Sequence, residues 1–254
     1  MTSTKQSKVV VITGGSQGIG AAIAETFCNA GICVVIGSRR DNGLAKKLGK
    51  KARYCAMDAC KQSDHRKAVE LALDWKGHLD AYINCAGFSA WRPIDQIDET
   101  FLTEILDTNL KGVFWGCKAA VSALEPGGVI VNISSLAGKR GSANNSAYCA
   151  SKFGVTGLTQ ALAKELGPKG IRVNAVCPVY VKTSGVLHAL ENPDSPAQGK
   201  KVAEYLHDFT KSQTALGRLP EGKDVAQMCL FLISAQASAI TGQSINVDCG
   251  VLPQ

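Results

Sequence analysis

The sequence predicts a single α/β domain, a doubly wound parallel sheet of about seven strands with helices on both faces. Three observations lead there. Short β-branched runs alternate with longer stretches whose apolar residues recur at helical spacing. No polar or Pro-rich linker interrupts that alternation, so residues 1–254 read as one unit. At 254 residues and 45% hydrophobic content, the chain is long and apolar enough to bury one proper core.

The elements follow in order. V-V-V-I-T, Val9 to Thr13, reads as a buried first strand, and a helix from Ile19 to Ala30 follows it across a glycine-rich turn. Cys33 to Gly37 is the second strand and Ala52 to Ala56 the third, ahead of a helix from Ser63 to Trp75. Ala81 to Asn84 is the fourth strand, Glu99 to Ala123 one long helix, and Gly128 to Ile133 the fifth strand. A helix from Ala147 to Leu166 precedes the sixth strand, Arg172 to Val176; the helix Gly222 to Ser234 and the strand Ser244 to Val247 close the pattern. The rhythm breaks between Tyr180 and Arg218, where Gly, Pro, Ser and charged residues leave short helical patches and no strand. Long irregular segments in compact domains serve as lids or binding loops, so residues 180–218 are the expected substrate lid.

Composition excludes several classes. Net charge is +7, but the basic residues are scattered in small groups such as Arg39-Arg40, Lys46-Lys47 and Lys50-Lys51, the pattern of solvated faces rather than of a nucleic-acid surface. The stretch M-T-S-T-K-Q-S-K lacks the apolar core of a signal peptide, and no segment reaches membrane-spanning length. The ten cysteines sit singly, without a C-x-x-C pair, which predicts reduced and mostly buried thiols in a cytoplasmic protein. His65, His78, His188 and His207 show no ligand spacing, so no metal site is expected.

Chemistry begins at V-V-V-I-T-G-G-S-Q-G-I-G, where a strand runs into a helix through Gly14, Gly15, Gly18 and Gly20. A backbone that turns sharply off a strand and approaches a pyrophosphate needs residues without Cβ, and the helix that follows offers free N–H groups and a positive dipole end to phosphate. The spacing is not that of a nucleoside-triphosphate loop, G-x-x-x-x-G-K-[ST]. T-G-x-x-x-G-x-G, which Thr13 to Gly20 match fully, is the signature of the short-chain dehydrogenase/reductase family, and the sequence resembles that family along essentially its whole length. N-C-A-G at 84–87 resembles the family's N-N-A-G with Cys85 in place of an Asn; T-N-L-K-G supplies Asn109, N-I-S-S supplies Ser135, and Y-C-A-S-K supplies Tyr148 and Lys152. Ser135 lies thirteen residues before Tyr148, the family's usual separation. Two departures stand out: Val179 where the family has the Gly of a P-G motif, and Cys249 where a second Gly is common.

The resemblance implies a Rossmann-type oxidoreductase that interconverts a carbonyl and a secondary alcohol by hydride transfer. Tyr148 and Lys152 lie on one helix face at i and i+4, so the ammonium is expected to lower the phenol's pKa and make tyrosinate accessible near neutral pH. Ser135 would hydrogen-bond the substrate oxygen as charge develops on it, and Asn109 would keep a water beside the lysine for proton exchange. The cofactor positions implied by the resemblance are Gly14, Ser16, Gly18, Ile19, Gly20, Ser38, Arg39, Asp58, Asn84, Ala86, Gly87, Tyr148, Lys152, Pro178, Val181 and Thr183. Ser38 followed by Arg39 at the end of the second strand, where an acidic residue would select NAD(H), favours NADP(H), with NAD(H) the alternative.

On the substrate side, Trp91, Asn145 and Tyr180, with Arg92 and Asn144 beside them, suggest a polar or polyfunctional carbonyl such as a sugar, polyol or hydroxyketone. The family's 3-oxoacyl-carrier-protein reductases are the nearest general likeness, but L-E-P-G-G-V lacks their carrier-docking basic residue and the 178–217 segment is longer than theirs. A nucleotide-sensing protein that keeps the fold without the chemistry is the other alternative, and intact Ser135, Tyr148 and Lys152 argue against it. The small and apolar residues on the helices 99–123 and 147–166 predict a homo-oligomer, and the resemblance implies a homotetramer, with a homodimer the alternative.

Overall fold

The computed structural model describes residues 7–253, so most of the N-terminal stretch read above lies outside the described residues. Seven strands, β1 (Val9–Thr13), β2 (Cys33–Ser38), β3 (Ala52–Ala56), β4 (Leu79–Asn84), β5 (Leu124–Ile133), β6 (Arg172–Pro178) and β7 (Ser244–Val247), form one sheet in the order β3-β2-β1-β4-β5-β6-β7. Every pairing is parallel. Nine α-helices are described: α1 (Gly18–Asn29), α2 (Leu44–Leu48), α3 (Gln62–Lys76), α4 (Glu99–Leu106), α5 (Gly112–Val121), α6 (Ser146–Leu166), α7 (Ser184–Leu190), α8 (Val202–Gln213) and α9 (Gly222–Leu232).

The unbroken apolar run of β1 has a direct cause. Val10 and Ile12 pack into a core shared with α1 and α9, whereas Val9 and Val11 face the opposite core, shared with α3, α5 and α6. A strand covered on both faces has no polar side to show. A fully buried polar pair, His65 and Tyr82, sits in the second core. His65 Nε2 donates to Ala59 O at 2.8 Å, so Nδ1 accepts from Tyr82 Oη at 2.8 Å, and burial lowers the imidazole pKa and keeps the ring neutral.

Strand count, parallel pairing and both helical layers agree with expectation, the short α2 was not expected, and four further details stand out. β4 starts two residues early and β5 at Leu124, with a register irregularity between Leu79 and Ala81 that takes up the E-P-G-G insertion. The helix expected over 99–123 is interrupted by a π-helical turn, Asp107–Lys111, which amphipathic spacing cannot reveal. The irregular 180–218 segment has no strand but contains α7 and the three-turn α8, whose buried Leu206 packs with Trp91, Leu190 and Leu219 in a small core of their own. Cys249, at a position where Gly is common, has φ 56°, so the departure from Gly carries a left-handed backbone on a side chain with a Cβ.

Candidate active site

At the carboxyl ends of β1 and β4 the sheet order reverses, and the chains leaving the two strands part to opposite faces. Thr13 Oγ1 accepts from Cys85 N and Ala86 N, both at 3.1 Å, and fixes the loop after β4 to the end of β1. Gly14 has φ 64°, and a Cβ there would stand 2.8 Å from Ala86 Cα; a Cβ on Gly20 would overlap Gly14 O. α1 therefore begins directly under the loop, and its N-cap residue, Gln17, makes no side-chain capping bond, so the first-turn N–H groups face the opening.

A cleft of about 770 Å³ runs from this loop along the strand ends. Every cofactor position expected from the sequence lines it except one. Asn84 is the correction: it is 2% exposed and turned into the interior, where Nδ2 donates to Asn132 Oδ1 at 2.9 Å, and Asn132 Nδ2 donates on to Thr159 Oγ1 at 3.0 Å. Its role is to join β4, β5 and α6 beneath the site, and the cleft face at this turn is supplied by Cys85 and Ala86. At the far end, Ser38 Oγ donates to Arg40 O at 2.8 Å, and Arg39 and Arg40 are exposed at the rim. The glycine cradle, the open helix N-terminus and the length of the cleft fit a nicotinamide dinucleotide.

Ser135 and Tyr148 stand where the cleft meets a smaller cavity of about 130 Å³ and line both. Trp91, Asn145 and Tyr180 line the small cavity, as the sequence suggested. Arg92 and Asn144 do not. Arg92 stacks on Phe101 at 4.2 Å and pairs with Asp98 at 2.9 Å, and Asn144 is exposed, its Nδ2 donating to Asp194 O at 3.1 Å. Arg140, Ser142 and Phe209 are cavity residues that sequence reasoning missed. The one signal for the first was the basic K-R pair inside S-S-L-A-G-K-R-G, between Ser135 and Tyr148.

Asn109 lies on the π-helical turn, fully buried. Its Oδ1 accepts from Phe88 N at 2.9 Å and its Nδ2 donates to Phe88 O at 2.8 Å, which secures the chain after β4. A Cβ on Gly87 would stand 2.9 Å from Asn109 Oδ1 and 3.6 Å from Lys152 Nζ, so the three positions are in close approach.

In the chain without cofactor, burial dominates the electrostatics of the pair. Burial pushes the Tyr148 phenol up to about 12, opposed only in part by a hydrogen bond with Ser135. Burial also pulls Lys152 down to about 8. Lys152 Nζ donates to Ile133 O at 2.9 Å and stands 5.7 Å from the Tyr148 ring centre, so the i, i+4 pair does not by itself produce a tyrosinate. Desolvation is the largest influence on both groups.

The comparisons with known proteins agree with this geometry. The family model described as enoyl-(acyl carrier protein) reductase matches residues 14–252. The chain is 36% identical over 254 residues to a diacetyl reductase, (S)-acetoin forming, of Staphylococcus aureus, covering 96% of this chain and 98% of that one. It is 32% identical to the 3-oxoacyl-[acyl-carrier-protein] reductase of Chlamydia muridarum, covering 99% and 100%. Among solved structures, a variant of actinorhodin polyketide ketoreductase with NADPH superposes with a TM-score of 0.88 at 32% identity, covering 96% and 97%. Fold, site and relatives define an NAD(P)-dependent oxidoreductase that acts on carbonyl and alcohol groups. The chain belongs to the short-chain dehydrogenase/reductase family.

A buried ammonium held for chemistry should cost stability. Lys152 binds its proton less tightly folded than unfolded, so the penalty is full below pH 8 and vanishes above about 10.5. Lys152→Met is expected to stabilise the cofactor-free protein by about 1–3 kcal/mol at pH 7, with the gain shrinking as pH rises from 8 to about 10.5. Urea unfolding at a series of pH values measures it; a destabilised variant at pH 7 would contradict the account.

Proposed function

We propose that this protein reduces a small polar carbonyl compound, or oxidises the corresponding secondary alcohol, with Tyr148 as the acid/base. The observation that carries this reading is the position of Ser135 and Tyr148 at the junction of the long cleft and the small cavity. The nicotinamide supplies the hydride when bound. In reduction Tyr148 Oη donates a proton to the carbonyl oxygen, and in oxidation it accepts the alcohol proton. Ser135 Oγ hydrogen-bonds the same oxygen and is oriented before charge develops there. Lys152, ringed by Ile133 O, Gly87 and Asn109, passes the proton on, and the π-helical turn at Asn109 offers the backbone irregularity beside which a water can sit. The 180–218 segment acts as the lid, with Tyr180 and Phe209 in the cavity wall. The cavity, about 130 Å³, suits a compact group beside the reacting carbonyl.

The cofactor reading is NADP(H). Ser38 places no carboxylate where a 2′-phosphate would lie, and the exposed Arg39 and Arg40 offer guanidinium forks beside it. All ten cysteines are free, in keeping with a reducing cytoplasmic setting. A homo-oligomer built across α4, α5 and α6 accounts for Leu102, Phe114 and Phe153, which are 39%, 48% and 47% exposed there.

Three measurements test the reading. Tyr148→Phe should lower kcat at least about a hundredfold with diacetyl as probe while NADPH still binds, because the hydroxyl carries a proton rather than the dinucleotide. More than a tenth of the wild-type rate would sink its role. Competing kcat/KM values should favour NADPH over NADH by about ten- to hundredfold, the worth of a charge-assisted contact of roughly 1.5–3 kcal/mol. Ser38→Asp should reverse that preference, and equal use of both cofactors by the wild type would refute the part given to Arg39. Light scattering at micromolar concentration should return the mass of two or four chains; a monomer contradicts the interface.

A further inference from the structure

The small cavity contains one charged side chain, Arg140, and no carboxylate. Arg140 comes from the loop between β5 and α6; its backbone N–H donates to Leu136 O at 3.0 Å, and its guanidinium makes no hydrogen bond or ion pair among the described residues. Two residues of the same lining are buried with one polar atom each lacking a partner. Trp91 is 4% exposed with no acceptor for Nε1–H. Asn145 is 5% exposed; Nδ2 donates to Ser142 Oγ at 3.2 Å, while Oδ1 has no donor. Both atoms are closed to solvent, so the charged group that the cavity offers to a ligand is Arg140.

The guanidinium's field also reaches the cavity. Tyr180 Oη and Tyr205 Oη lie 3.2 Å apart, and although burial raises both phenol pKa values, the Arg140 charge opposes the rise at each. With no acid in the lining, nothing on the wall neutralises that positive potential. The volume, about 130 Å³, resembles the ~150 Å³ cavity that accommodates benzene, so it admits about six heavy atoms.

We infer that the substrate carries a small anionic group, held by the Arg140 fork, while its carbonyl faces Ser135 and Tyr148: the substrate class is a short oxo acid and its hydroxy-acid product. In reduction the carbonyl carbon gains a hydride from the reduced nicotinamide, which is thereby oxidised, and the oxygen gains the Tyr148 proton. The anionic group takes no part in that exchange. The inference rests on the reading of the cavity as the substrate site.

Binding is tested without asking for turnover, by titrating the NADPH-bound enzyme with isobutyrate and with isobutyramide, which differ mainly in charge, and following cofactor fluorescence. Isobutyrate should bind at least tenfold more tightly. Arg140→Gln should reduce the difference to within about twofold, and Arg140→Lys, which keeps the charge without the fork, should keep part of it. Equal binding of the two probes, no carboxylate binding, or a preference that Arg140→Gln leaves intact each overturn the inference. Turnover then separates it from the reading beneath it. Acetoacetate or 2-oxobutyrate should exceed diacetyl in kcat/KM by tenfold or more, and Arg140→Gln should lower that ratio by at least tenfold. Diacetyl reduced as well as the oxo acids sinks the anionic preference and leaves the reductase chemistry standing. Carboxylate binding without reduction of any carbonyl supports the anion site and sinks the chemistry.

Discussion

The site depends first on how β1 and β4 separate. The strands run side by side from Val10 opposite Ala81 to Thr13 opposite Asn84, and only then diverge. One residue, Thr13 at the end of β1, holds the loop after β4 at that fork by accepting two backbone N–H groups on a single hydroxyl oxygen. The fork's narrowness excludes a side chain at position 14, because Ala86 occupies the space a Cβ would need. From this one constraint follow the uncapped start of α1, the floor of the cleft and the line along which a dinucleotide can lie.

Beneath the fork, the protein holds polar groups where apolar ones would be more stable. Asn84, Asn132 and Thr159 link three elements through a chain of side-chain hydrogen bonds in which every member is buried, and Lys152 lies close by with one carbonyl as its hydrogen-bond acceptor. Such a network is costly when partly satisfied, and Asn84 Oδ1 has no donor. What it provides is position. α6 carries both Tyr148 and Lys152, and tying its Thr159 to the sheet fixes the helix's rotation about its axis.

The substrate side is built differently. Trp91 follows β4, Arg140 and Asn145 precede α6, and Tyr180 and Phe209 come from the segment after β6, so three separate stretches of chain converge on one small cavity. Its aromatic wall is a second core, with Tyr180, Tyr205 and Phe209 in edge and tilted contacts around Trp91 and Leu206. This arrangement lets the fold keep one cofactor cleft while loops alone set what is reduced.

How much was legible in the sequence divides along the same line. Strand and helix order, the glycine turn and the spacing of Ser135, Tyr148 and Lys152 are local or periodic properties, and the sequence by itself determined them. The π-helical turn at Asn109 was not legible, since one extra residue in a helix leaves the apolar spacing nearly unchanged. Nor was the inward rotation of Asn84, the outward position of Arg92 and Asn144, or the place of Arg140 in the cavity, because each depends on contacts with residues distant in the chain. The pKa values show the division most clearly. Sequence places an ammonium four residues from a phenol, but how far each is stripped of water is decided only when β5, α6 and the loop after β4 close around them, and in this protein that desolvation is the larger effect.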